Sequence, residues 1–132
     1  MVIPYLTDSS IVSKYINGNL PTQGLDFMDF VLEVESNISI ISKIELLSWV
    51  TDEAKLYRKV EIFIEDSEVL LLTDDIVLKT IELRKRYKLK TPDAIIAATA
   101  LIHKLTLLTD NERDFRNIKN LKIINPNTMN ER

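Results

Sequence analysis

Short apolar runs alternate with helix-like segments along this chain, and that alternation narrows the folds open to it more than any other feature. The runs at residues 2–7, 37–41, 68–72, 105–109 and 121–124 read as buried strands. Residues 9–17, 25–35, 52–65, 74–88 and 92–103 read as helices, another helix opens at Ser42, and 112–118 reads as a helical turn. Strands separated by helices favour parallel pairing with helices packed on both faces. The expected class is therefore α/β: a three-layer sandwich with a central parallel sheet flanked by helices.

Local signals place the boundaries. Ser9 or Ser10 is a candidate cap for the first helix, which Asn17-Gly18 ends, and the segment 17–24 (NGNLPTQG) reads as a loop. Ser42-Lys43-Ile44-Glu45 has the form of a capping box. Thr73 caps the helix from 74, while Thr91 and Pro92 read as the cap and first residue of the alanine-rich helix. Pro4 fits poorly inside a strand because it has no N–H for the ladder, and residues 130–132 are expected to fray. At 132 residues the chain is expected to form a single domain.

Composition removes several classes of chemistry. There is no cysteine, so disulfides, thiolate metal sites and cysteine nucleophiles are excluded, and a single histidine, His103, excludes an imidazole-rich metal site. Any metal would be held by oxygen, which points to Mg²⁺ or Mn²⁺. No apolar stretch approaches the roughly 20 residues of a membrane span. The N-terminus has no basic-then-apolar leader pattern, so a cytoplasmic protein with no membrane partner is expected. A net charge of −3 argues against a general nucleic-acid coat protein.

Four acids stand at element junctions: Asp8 after the first apolar run, Glu45 in the SKIELLSW stretch, Asp93 at a helix start, and Asp114 beyond the LTLLT run. The carboxyl ends of parallel strands and the adjoining helix starts share one rim, where ligands bind. Carboxylates gathered there repel one another and call for raised pKa values, basic partners or a hard divalent cation. A cation is the expected answer. Each acid also has a structural reading: Asp8 as a helix cap, Glu45 as the third residue of its capping box, Asp93 as a charge favoured by the helix dipole. Asp110, Asn111, Glu112 and Asp114 all offer oxygens, and the residues alone do not choose among them. Ser10 is a candidate to support a carboxylate or a water.

The segments YLTDSSIV, ISKIELLSW, TPDAIIAATALIHKLTLLTDNERDF and IINP together resemble a PIN domain, and within that superfamily the VapC-type ribonuclease toxins of toxin–antitoxin pairs. The resemblance spans essentially the whole chain and is most specific from Asp93 to Phe115. It implies a Mg²⁺-dependent endoribonuclease acting on structured RNA of the tRNA or rRNA class, commonly a homodimer, held in check by a small antitoxin. It carries catalytic roles onto Asp8, Glu45, Asp93 and Asp114, with metal held by Asp8 and Asp93, support from Ser10 and Asn111, and Asp110 as the runner-up for the fourth acid. Lys104 departs from the pattern by standing where many relatives have glycine.

Around these acids, Arg84, Arg86, Lys88 and Lys90 are candidate RNA contacts, although basic residues also favour helix C-termini through the dipole. His103 reads as a helix-end residue, and Trp49 and Phe115 as core. Phe27, Met28, Phe30, Val60, Phe63 and Ile64 suggest an apolar dimer surface or antitoxin groove. Two alternatives compete. One is a catalytically silent PIN-like module that only binds RNA or a partner. The other is a phosphoacceptor receiver domain, disfavoured because a single acid, not a pair, follows the first strand.

Overall fold

Five short strands pair side by side in the order β3-β2-β1-β4-β5, every pair parallel. They are β1 (Tyr5–Thr7), β2 (Ser36–Ser39), β3 (Glu68–Leu70), β4 (Thr106–Leu108) and β5 (Ile123–Ile124). The computed structural model describes residues 4–130. Residues 2 and 3 of the expected first strand, and the last two of the expected frayed end, lie outside the described residues.

The helices are α1 (Ser9–Ile16), α2 (Thr22–Val34), α3 (Ile40–Leu47), α4 (Ala54–Glu65), α5 (Asp74–Arg86), α6 (Thr91–His103) and α7 (Glu112–Phe115). Alternation along the strands feeds two cores. Leu6 and Leu107 join Ile76 and Leu83 of α5, Ala94–Ala98 of α6 and Phe115 on one face of the sheet. Tyr5 and Leu108 join Ile11 and Val12 of α1, Met28 and Val31 of α2, Leu46 of α3 and Val60 and Phe63 of α4 on the other. The predicted three-layer α/β sandwich is the observed architecture.

Three local expectations are corrected. The capping box at Ser42 does not form: α3 begins at Ile40, and the Ser39 hydroxyl caps it by accepting from the Ser42 N–H at 3.1 Å. That frees the Glu45 carboxylate for a tertiary contact. At α6 the cap is Lys90, so Thr91 and Pro92 are the first two helical residues, and no side chain caps the end. Most of the expected apolar surface on α2 and α4 is core, since Met28, Val60, Phe63 and Ile64 are buried. Of that set, Phe30 is exposed.

Two backbone positions explain further departures. Gly24 lies inside α2 instead of in a loop, because a Cβ there would sit 2.2 Å from the Pro126 carbonyl oxygen, where the chain end packs on the helix. Lys104 ends α6 in the left-handed conformation at φ 57 and ψ 47, which is why glycine suits this position. Pro4 precedes β1, and its carbonyl accepts from the Thr106 N–H at 3.1 Å, so the missing donor disturbs nothing.

Candidate active site

Strand order places the candidate site. The chain leaves β1 and builds β2 and β3 on one side, then returns through α6 to build β4 and β5 on the other. The ends of β1 and β4 are therefore neighbours at a topological switch point, where open α/β sheets form their ligand crevice. Asp8 directly follows β1, and Thr109 and Asp110 directly follow β4.

Asp8 is both helix cap and rim carboxylate. Its Oδ1 accepts from the Ser9 N–H at 2.8 Å, and its Oδ2 accepts from the Thr109 hydroxyl at 2.9 Å. The backbone closes the same junction, with the Asp8 N–H donating to the Leu108 carbonyl at 2.9 Å. Asp8 is only 8% exposed. Burial pushes its pKa up to about 6, the Thr109 and Ser9 bonds hold it down in part, and the Asp93 and Glu45 charges push it up again.

Asp93, in the first turn of α6, faces the same crevice electrostatically. Burial raises its pKa, the charges of Asp114 and Glu45 raise it further, and the Lys90 ammonium offsets part of this. Glu45 of α3 is exposed and accepts from the Ser9 hydroxyl at 3.0 Å. Asp114 of α7 is exposed and accepts from the Asn111 amide at 3.0 Å. The four acids therefore share one field: Asp8 feels Asp93 and Glu45, and Asp93 feels Asp114 and Glu45.

Asp110 is held differently. Its Oδ1 accepts from the Ser10 hydroxyl at 2.9 Å, and its Oδ2 pairs with the Lys14 ammonium at 2.5 Å. Burial opposes its charge, but the Lys14 and Ser10 bonds outweigh that and keep its pKa below the ordinary carboxylate value. Asp110 thus straps the β4–α7 connection to α1. Its charge is answered within the protein, whereas Asp93 and Asp114 push against each other.

The basic cluster divides in the same way. Arg84 donates to the Leu89 carbonyl at 3.2 Å and closes the α5–α6 turn, while Arg86 and Lys88 are exposed beyond it. Lys90 is the one whose charge reaches an acid of the crevice. His103 is the exposed last residue of α6, and Phe115 is fully buried. Trp49 is not core: it is 38% exposed and lines a cavity beside Glu45. Sequence reasoning did not single out Thr109 or Lys14, because their roles depend on partners about a hundred residues away in the chain.

The donor set is entirely oxygen, which suits a hard cation. Among the described residues, no three His, Cys, Asp or Glu side chains stand close enough to enclose a metal by themselves. Mg²⁺ does not require that, since it keeps several waters and uses one or two carboxylates. A carboxylate has about four lone-pair sites, so Asp8 retains acceptor capacity beyond its two bonds. No hydrogen bond engages the Asp93 carboxylate among the described residues. The residues fit such an ion.

Solved structures with this fold are numerous. The chain is similar to a toxin-antitoxin complex from Klebsiella pneumoniae, at 28% identity and TM-score 0.74, covering 92% of this chain and 97% of that one. It is also similar to VapBC2 from Rickettsia felis bound to a promoter DNA fragment, at 23% identity and TM-score 0.80, covering 93% and 98%. DNA-bound VapBC from Salmonella typhimurium matches at 21% identity and TM-score 0.77, covering 95% and 99%. No curated protein sequence matches the chain at a significant level. The PIN domain model matches residues 5–121, which takes in the whole sheet up to the edge strand and all four crevice acids, and the chain belongs to the PIN domain family.

Proposed function

We propose that the chain is a Mg²⁺-dependent endoribonuclease, the toxin of a toxin–antitoxin pair, with Mn²⁺ able to replace Mg²⁺. The observation that carries this reading is the buried Asp8 carboxylate, whose charge is opposed by Asp93 and Glu45. A protein has little reason to keep three such charges at a ligand crevice unless something positive joins them. The family match and the likeness to the Klebsiella toxin-antitoxin complex support the same reading.

Asp8 and Asp93 would hold the ion. When bound, it would supply Lewis acidity and offset the carboxylate charge that otherwise repels a phosphodiester. Glu45, bonded by the Ser9 hydroxyl, and Asp114, bonded by the Asn111 amide, would orient the attacking water and take its proton. Thr109 and the Ser9 N–H hold Asp8 in one rotamer. Attack by water would leave a 5′-phosphate and a 3′-hydroxyl. Lys90, with the exposed Arg86 and Lys88, would meet the RNA backbone on the α6 side, and Arg84 would hold that turn. The substrate class is tRNA or rRNA, the regulator is a cognate antitoxin, and the working form is a homodimer.

The test is cleavage of total cellular RNA by metal-stripped protein titrated with Mg²⁺ or Mn²⁺. Cleavage should require the metal and fall at least a hundredfold in Asp93→Asn. Metal-independent cleavage, or an Asp93→Asn protein as active as the parent, would remove the assignment. A protein that binds RNA but never cuts it would instead be a silent PIN-like binding module.

A further inference from the structure

A cavity of about 280 Å³ lies between α1, α3 and α4, directly beside the crevice. Glu45 forms part of its wall, and the Ser9 hydroxyl that holds Glu45 forms another. Its apolar side is made by Trp49, Leu46 and Ile16. Ser13 and Asn17 of the α1 end supply the polar side.

The occupant can be argued from size, shape and unused hydrogen-bonding groups. Ligand pockets run from roughly 300 to 1,000 Å³, so this one, just below that range, has room for no more than a single ring system. Trp49 lines the cavity and is 38% exposed, so part of its surface is open to an occupant. The Asn17 amide nitrogen is committed to the Ser13 carbonyl at 2.8 Å, which leaves its Oδ1 as an acceptor. Among the described residues the Ser13 hydroxyl makes no hydrogen bond, so it can donate or accept. A flat apolar wall facing a donor–acceptor edge matches a nucleobase, which has a π-face and a polar rim.

We propose that this cavity receives one unpaired base of the RNA, next to the phosphodiester that is cut, with Trp49 as its stacking surface. This rests on the nuclease reading above and adds a requirement to it: the substrate must present a splayed, single-stranded nucleotide at the cleavage point. Trp49 thereby contributes affinity and site choice, while the carboxylates carry the chemistry.

Trp49 is the only tryptophan of the chain, so its emission reports on the cavity directly. The experiment titrates Asp114→Asn protein, in Mg²⁺, with a tetra-adenylate and with an abasic oligomer of the same backbone. The expected result is quenching by the first and little change with the second. In the parent background, Trp49→Ala should raise KM for RNA roughly tenfold with a small effect on kcat, and Trp49→Phe should restore most of the loss. Thermal melting of both variants separates this from misfolding, because a purely packing role would lower Tm without the KM split. Equal responses to the two oligomers, or none, in a protein whose parent cuts RNA would overturn the base site and leave the nuclease reading intact. Emission that follows protein concentration and ignores both oligomers would assign the cavity to a second copy of the chain, and would overturn it too. Absence of cleavage by the parent is a separate failure, of the nuclease reading.

Discussion

The Thr109 hydroxyl donates to Asp8 Oδ2 across 2.9 Å and so ties together the carboxyl ends of the two central strands, β1 and β4. Both residues are buried, so no water replaces the bond if it is lost. A buried hydrogen bond to a charged group contributes roughly 1.5–3 kcal/mol. Thr109→Val keeps the shape and deletes the donor, together with the acceptor that the hydroxyl offers the Asn111 N–H at 3.0 Å. Asp8 should then become harder to ionise, because the bond that lowers its pKa is gone. The expected outcome is a fall in kcat/KM of roughly tenfold or more at neutral pH. The acid limb of the pH–rate profile should move upward, with partial recovery of activity at higher pH. An unchanged profile would mean that Thr109 does not tune Asp8.

Stability should depend on pH through Asp8. Its folded pKa is raised to about 6 from an ordinary 3.8, so in this window the native state holds the proton more tightly than the unfolded chain. Stability should therefore fall as pH rises from 3.8 towards 6 and level off above. The full difference is roughly 3 kcal/mol by linkage. Asp8→Asn keeps a capping oxygen and lacks the charge. It should melt higher than the parent at pH 7.5 without divalent ions, and lose that slope. Added Mg²⁺ should raise the Tm of the parent and not of Asp8→Asn. Calorimetry across the pH range in chelator, then in Mg²⁺, measures both.

The parallel sheet was legible because most strands lie in short apolar runs and the crossovers carry helical spacing or capping residues, as in Thr73 before α5, although β2 itself (SNIS) is polar at three of its four positions. The ends were less so. Ser39 and Ser42 both suit a cap, and the helix turns directly off the end of β2, so the cap falls at Ser39, three residues earlier. Gly24 read as loop because glycine weakens helices, yet here it is selected by a backbone from the far end of the chain. The crevice acids stood out by position, whereas Thr109, which holds Asp8, and Lys14, which holds Asp110, did not. Lys14 looked like any amphipathic-helix lysine and Thr109 like a strand-end threonine, since neither shows locally the carboxylate it meets.

Asp110 and Asp114 should separate by phenotype. Asp110 is bonded to Lys14 and Ser10, while Asp114 is exposed and adds to the field on Asp93. Asp114→Asn should lower cleavage strongly with little change in Tm. Lys14→Met should cost about 1 kcal/mol of stability, because the pair it breaks is partly solvated. That loss should be full near neutrality and shrink as pH falls below 3.8, where Asp110 gives up the charge that Lys14 supports. Activity of Lys14→Met should fall only modestly at temperatures where it stays folded. Equal catalytic losses in both variants would mean that Asp110 takes part in the chemistry.

Lys104→Gly should stabilise the protein. The residue sits at φ 57 and ψ 47 between α6 and β4, a left-handed conformation that disfavours any side chain by roughly 1–2 kcal/mol. Glycine removes that strain but gains freedom in the unfolded chain, so a net gain of about 0.5–1 kcal/mol is expected. Lys104 is exposed and remote from the acids by its place at the opposite end of α6. Cleavage should be unchanged. A lower midpoint in urea would show that the lysine makes a compensating contact.

The proposed homodimer has a candidate surface on α5. Val77, Leu78 and Ile81 form an exposed apolar stripe there, Leu78 reaching 66% exposure, and Leu71 and Leu72 extend it from the preceding loop. The helix is acidic at its start, with Asp74 and Asp75, and basic at its end, with Arg84, Lys85 and Arg86. Two copies laid antiparallel about a two-fold axis would bury the stripe against itself and set each acidic end beside a basic one. Burying a leucine contributes roughly 1.5–3 kcal/mol, and symmetry doubles any change at the position. Leu78→Asp should therefore weaken association at least a hundredfold, turning a dimer into a monomer at micromolar concentration in sedimentation equilibrium. Asp74→Lys should weaken it and Asp74→Lys combined with Arg86→Glu should restore it, because the reversed charges meet again across the axis. Dimers that survive Leu78→Asp would move the interface elsewhere.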